Sequence, residues 1–115
     1  MHELSLAHDI LQLVENAARR ENFRRVARLH LEAGALAGVE VSALRFALES
    51  LAAGTCIEGA DLQIDEPPGV AWCERCQDHV RIMSRIEPCP LCSGYPLRPT
   101  AGDCLRVLDL HVQEQ

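Results

Sequence analysis

Apolar residues recur with two different periods along this chain. From Leu4 to about Glu21, the residues Leu6, Ile10, Leu13, Val14 and Ala17 fall at helical spacing, with Asp9, Gln12, Glu15, Asn16 and Arg19 between them. That pattern predicts an amphipathic helix. The stretch RVARLHLEAG then alternates, with Ala27, Leu29, Leu31 and Ala33 on one side and Arg28, His30 and Glu32 on the other. It predicts a strand covered on one face and ending at Gly34. A second helix is predicted within GVEVSALRFALESLAAG, where Val41, Leu44, Leu48 and Leu51 form the apolar stripe and Gly54 supplies a stop. GADLQIDEPPG places Leu62 and Ile64 on one face of a short strand before Pro-Pro-Gly breaks regular structure. Near the end, DCLRVLDLHVQE predicts a further strand with Leu108, Leu110 and Val112 on a shared face.

Between the last two strands lies a stretch of different character. Cys73 and Cys76 in WCERC, then Cys89 and Cys92 in PCPLC, form two C-x2-C pairs with twelve residues between them. Each pair lets one tight turn present two thiolates to a single ion, and two such knuckles complete a tetrahedral shell of four sulfurs. Zn(II) suits that shell best and iron next. A C-x2-C redox pair and an iron–sulfur or rubredoxin-like site are the competing readings. Four thiolates leave no open coordination position, so the ion is expected to be structural. The segment from about Val70 to Pro99 has few apolar residues of its own, and metal binding would supply folding free energy that a core does not. His79 is either an exposed residue or a partner of a cysteine sulfur.

The order of elements predicts an α+β fold: two helices packed on a three-stranded sheet, with a small four-cysteine zinc module inserted before the last strand. Residues 1–69 together with 100–115 would form one domain and 70–99 the zinc module. The connections at 66–69 and 99–102 contain Pro or Gly, so the module is expected to reorient as a body. Cys56 and Cys104 are expected to be small buried hydrophobes.

Charge narrows the partners. Eleven basic residues stand against 17 acidic ones, a formal net charge of −6, which opposes phosphate-backbone binding as the main task. Arg19, Arg20, Arg24 and Arg25 cluster, but at a helix end, where a solvated or protein-docking face is expected. No apolar stretch approaches the roughly 20 residues that span a bilayer, and the first residues lack the basic and apolar regions of a signal peptide. A cytoplasmic protein without nucleic-acid or membrane partners is expected. GALAG is not followed by the Lys-Ser/Thr of a phosphate-binding loop, and spacing nominates no nucleophile–base pair, so no enzymatic activity is expected.

The first three residues, Met-His-Glu, place a free amine, an imidazole and a carboxylate together. The α-amine of Met1, the amide nitrogen of His2 and the imidazole Nδ1 of His2 can close two chelate rings around one ion. A deprotonated amide as ligand demands tetragonal geometry, hence Ni(II) or Cu(II) rather than Zn(II). The fourth position is open to the Glu3 amide or carboxylate, or to another carboxylate folded alongside. The plain alternative is a solvated terminal histidine.

Taken together, MHELSLAHDI, GALAGVEVSALRFALE, EGADLQI and the paired C-x2-C knuckles before a final strand resemble the HypA/HybF family of nickel metallochaperones over essentially the full length. The resemblance implies nickel binding at Met1, His2 and Glu3, an acidic residue near the nickel at Glu40, and zinc held by Cys73, Cys76, Cys89 and Cys92. It further implies delivery of Ni(II) to the large subunit of [NiFe]-hydrogenase with the maturation GTPase HypB as partner, service to urease in some members, and room for a homodimer. Gln77 and Ser93 stand where some relatives carry a histidine directly after a cysteine pair, and the usual glycine after the last cysteine is missing. A pH-linked exchange of zinc ligands, attached to the histidine variant, does not carry over. The runner-up is a zinc-ribbon module for nucleic acid or protein interaction, for which Arg75, Arg81, Arg85 and Arg98 with Trp72 and Tyr95 would have to serve.

Overall fold

The computed structural model describes residues 2–113. The elements run α1 (His2–Glu21), β1 (Val26–Ala33), a short 3-10 turn (Ala35–Ala37), α2 (Val41–Leu51), β2 (Asp61–Asp65), β3 (Gly69–Cys73), β4 (Asp78–Ile82), β5 (Leu97–Ala101) and β6 (Leu105–Val112). They make two three-stranded sheets, of order β2-β1-β6 and β4-β3-β5. The α+β fold with two helices and a cysteine module ahead of the last strand is therefore present, and the module has a sheet of its own that the sequence pattern did not predict. Two compact units result: Met1–Leu31, Val39–Ile64 and Val107–Gln115 form the first, Glu32–Gly38 and Asp65–Arg106 the second.

In the first unit α1 packs against α2. The buried face of α1 is Ala7, Ile10, Val14 and Ala18, a cleaner three-and-four repeat than the one read from the sequence. Leu13 falls outside it and is 54% exposed. The helix ends in a Schellman motif: Asn22 takes a left-handed φ of 63° and the Phe23 amide donates to the Ala18 carbonyl at 3.0 Å. Asparagine tolerates that conformation, which is why the helix stops without a glycine. From α2 the unit buries Leu44, Ala47 and Leu48, and from β1 it buries Val26, Leu29 and Leu31. Val26 is buried and Ala27 exposed, so the simple alternation of β1 holds only from Leu29 onward. Cys56 is buried as expected, and its amide donates to Glu15 Oε1 at 3.0 Å. Burial, then the nearby Glu15 carboxylate, pushes its thiol up to about 11, so it stays neutral. Among the described residues no helix is long and apolar enough to cross a membrane.

The second unit is built on the β3–β4 and β3–β5 antiparallel pairs, with Val70 opposite Arg81 and Trp72 opposite His79 in the first. β5 is an edge strand, which accommodates Pro99 without loss of a ladder bond. Its register shifts at Val70/Ala71, and Thr100 Oγ1 donates to the Val70 carbonyl at 3.3 Å there. The core consists of Leu36, Ala71, Cys73, Val80, Ile82 and Cys89. Leu36 comes from the 3-10 turn, and two of the six are cysteines of the knuckles.

The two Pro- and Gly-containing connections are packed inside this unit. The Ala35 amide donates to the Pro67 carbonyl at 2.9 Å and the Leu36 amide to the Gly102 carbonyl at 2.8 Å. Gly102 has φ 76°, and a Cβ there would lie 2.3 Å from the Pro68 carbonyl oxygen. Gly102→Ala thus combines a left-handed backbone penalty with a backbone clash, and should destabilise the unit by more than about 2 kcal/mol. Chemical denaturation followed at Trp72 checks this. Cys104, expected to be buried, is exposed because it lies in the loop that follows Gly102, where its carbonyl accepts from the Gly34 amide at 2.9 Å. A hydrogen bond to Asp103 and that carboxylate's charge push the Cys104 thiol up, which disfavours a reactive thiolate.

Candidate metal sites

The first knuckle is the hairpin turn between β3 and β4. Cys73 closes β3, Cys76 sits in the turn, and the Gln77 amide donates back to the Cys73 carbonyl at 2.8 Å. The second repeats the geometry in the loop before β5, with the Ser93 amide on the Cys89 carbonyl at 2.8 Å. In both, the residue after the second cysteine is left-handed, Gln77 at φ 54° and Ser93 at φ 59°. Neither is a glycine, so each carries a strain that a glycine would not. Ser93→Gly should therefore stabilise the metal-loaded protein by about 0.5 to 1 kcal/mol, net of the extra freedom glycine gives the unfolded chain. The midpoint of denaturation in urea measures it.

Folding brings the four sulfurs within 4.8 Å of one another, the only such gathering of three or more metal-binding side chains among the described residues. Cys73 and Cys92 sulfurs are 3.7 Å apart, and those of Cys76 and Cys89 are 3.8 Å apart. A tetrahedron with metal–sulfur bonds of about 2.3 Å has edges of about 3.8 Å, whereas a disulfide needs about 2.05 Å. The group has the dimensions of a tetrathiolate metal site, and zinc fits it. Backbone amides aim at the sulfurs, Cys76 N–H at Cys73 Sγ at 3.5 Å and Leu91 N–H at Cys89 Sγ at 3.4 Å. Such donors stabilise thiolate. Burial opposes ionisation of Cys89, but the amides of Cys92 and Leu91 outweigh it and draw its thiol down to about 7. Contact with the Cys92 sulfur, then burial, pushes Cys76 up to about 12. Without a cation the four groups cannot all ionise together. His79 is exposed and stands apart from the sulfurs, its ring 5.1 Å from that of Trp72 in an edge-on contact.

At the other end of the chain, Met1 lies outside the described residues. His2 and Glu3 are already in the first turn of α1, two residues earlier than the apolar pattern predicts. The amides of a helix's first turn have no carbonyl partner one turn back, so a ligand role for the His2 amide costs no helical hydrogen bond. The His2 side chain is 62% exposed and that of Glu3 only 12%, with His2 Nδ1 lying 3.4 Å from Glu3 Oε2. The same Glu3 oxygen accepts from the Glu40 amide at 3.1 Å. That hydrogen bond, the Glu3 amide and His2 together hold the Glu3 carboxyl below its ordinary value.

Glu40 is thus adjacent to the amino-terminal turn, and it has a second role that the sequence reading missed. It is the N-cap of α2, its Oε1 accepting from the Ser42 amide at 3.2 Å and from the Ser42 hydroxyl at 2.6 Å. The signal was present as a carboxylate two residues ahead of Ser42, though glutamate is not among the favoured capping residues.

A model of the family described as hydrogenase/urease nickel incorporation, metallochaperone, hypA, matches residues 1–112. The chain belongs to the HypA family. Hydrogenase maturation factor HypA of Cupriavidus necator is 60% identical over 114 residues, covering 99% of this chain and 96% of that protein. The Polaromonas naphthalenivorans factor of the same name is 53% identical over 115 residues, the whole of both chains. The solution structure of the Ni metallochaperone HypA from Helicobacter pylori superposes with a TM-score of 0.68 at 19% identity, covering 98% of each chain, and shares the fold. The HypA family comprises nickel-incorporation metallochaperones of hydrogenase maturation, carriers rather than enzymes.

Proposed function

We propose that this HypA-family chain takes up Ni(II) through the Met1 amine and the amide and imidazole Nδ1 of His2, with Glu3 and Glu40 alongside, and releases it to the large subunit of [NiFe]-hydrogenase. The observation that carries this reading is the exposed His2 imidazole in a first helical turn, where the His2 amide has no carbonyl partner one turn back, with the Glu3 carboxylate held beside it by the Glu40 amide at 3.1 Å. Residues 1–69 with 100–115 carry the nickel function. Residues 70–99 hold Zn(II) through Cys73, Cys76, Cys89 and Cys92, as a structural ion. The maturation GTPase HypB supplies the nucleotide dependence, and the protein acts in the cytoplasm.

The test is His2→Ala on untagged, zinc-loaded protein. The imidazole closes a chelate ring but supports no core, so tight Ni(II) binding should be lost while zinc content and helical circular dichroism stay unchanged. Nickel binding to that variant with native stoichiometry and affinity would remove His2 from the site.

A further inference from the structure

The outer face of the second unit's sheet gathers side chains that neither metal site uses. Along β3 burial alternates: Gly69, Ala71 and Cys73 are buried, while Val70 and Trp72 stand half-buried on the opposite side. In β4, Val80 and Ile82 are buried while His79 and Arg81 are exposed. The register sets Trp72 directly between His79 and Arg98, with Arg81 opposite Val70. The edge-on contact of the Trp72 and His79 rings shows that they share this face. A sheet face open to water normally carries polar side chains. This one has the chain's single tryptophan at its centre, flanked by arginines, and Trp and Arg are the side chains that most often dominate interfaces. The other candidates for a zinc-ribbon interaction are engaged elsewhere. Arg85 Nε donates to the Leu36 carbonyl at 3.1 Å, the Tyr95 hydroxyl donates to the Ile86 carbonyl at 2.7 Å, and Arg75 lies against Gly94.

We propose that this face docks an extended acidic segment of a partner protein, with an apolar side chain set between two carboxylates. Strands about 4.8 Å apart and a rise of about 3.4 Å per residue put Arg81 and Arg98 roughly 12 Å from each other, diagonally across Val70 and Trp72. In an extended segment, side chains four residues apart share a face about 13 Å apart, and the one midway between them shares it too. A Glu-x-Leu-x-Glu segment thus sets one carboxylate on each guanidinium and its leucine over Val70 and Trp72. Arg81 has no hydrogen bond or ion pair among the described residues. Arg98 Nη2 lies 3.5 Å from Glu74 Oε1, with the two side chains 72% and 58% exposed. So open a pair is worth little, and Glu74 marks a place beside Arg98 that a partner's carboxylate can take over. Two arginines neutralise too few phosphates to hold nucleic acid on a chain of net charge −6, whereas they match two carboxylates. The surface does not depend on the amino-terminal nickel site.

The experiment titrates zinc-loaded, full-length protein with the end-blocked peptide Glu-Thr-Leu-Thr-Glu, reading the fluorescence of Trp72. Saturable binding with a blue shift of the emission is expected as the leucine covers the indole. Arg81→Gln should weaken it by about 5-fold or more. Glu74→Gln, which frees Arg98, should tighten it by about 2-fold or more. Both variants should keep native zinc content and circular dichroism. The peptide Gln-Thr-Leu-Thr-Gln should bind by about 10-fold or more less tightly. No emission change up to millimolar peptide, equal binding of the two peptides, indifference to Arg81→Gln, or tighter binding of a single-stranded oligothymidylate would overturn the surface.

Discussion

Replacing Cys89 by serine is expected to release the metal and to unfold the sheet of β3, β4 and β5, while α1 and α2 keep their helical signal. Cys73 and Cys89 are two of the six buried members of that unit's core, and what remains is Leu36, Ala71, Val80 and Ile82. Four such side chains do not offset the ordering of a unit this size. Structural zinc in small modules contributes an apparent 10 to 16 kcal/mol, roughly, at neutral pH, which is the scale of a whole domain's stability. Elemental analysis and limited proteolysis read the two consequences separately. Cys104→Ser is the control: that thiol is exposed and outside the cluster, and its loss should change stability by less than about 0.5 kcal/mol. Full metal content in Cys89→Ser would remove Cys89 from the ligand set.

Acetylating the Met1 α-amine is expected to have the second large effect, on nickel binding alone. The amine becomes an amide nitrogen, a poorer donor at neutral pH, and the five-membered ring that it closes with the His2 amide is lost. Losing an outer-shell partner already costs metal sites about 10- to 100-fold in affinity, and losing a ligand should cost more than that. α1 should be unaffected, because its buried face starts at Ala7. In the native chain the amine has to shed its proton to bind, from an ordinary pKa of about 7.7 to 8.0, so affinity should fall steadily from pH 8 to pH 6. The acetylated protein, with no amine to deprotonate, should lose that dependence along with the affinity. Unchanged binding in calorimetry would mean that the amine is not a ligand.

Much of the fold was legible where burial imposed a period. α1, α2, β1, β2 and β6 all carry apolar repeats, and the structure places each within a few residues of its predicted position. β3, β4 and β5 were not legible, because a five-residue strand in a unit whose core includes cysteine offers only pairs such as Val80 and Ile82 as signal. Leu13 reads as core by type alone, yet the geometry of α1 favours the smaller Ala7 and Ala18, which allow close approach to α2. The gathering of Cys73, Cys76, Cys89 and Cys92 was legible, since two knuckles of fixed spacing leave the chain few ways to arrange them. The relation between Glu3 and Glu40 was not, because a backbone amide donating to a carboxylate 37 residues away leaves no mark in a sequence.

The most direct test of nickel carriage from the amino terminus is a Ni(II) titration of untagged, zinc-loaded native protein, followed by absorption and calorimetry. The account predicts that the first equivalent enters a tetragonal, diamagnetic site and that it is missing from protein acetylated at the Met1 amine. A first equivalent that is six-coordinate and paramagnetic, or one that the acetylated protein binds equally well, would contradict it.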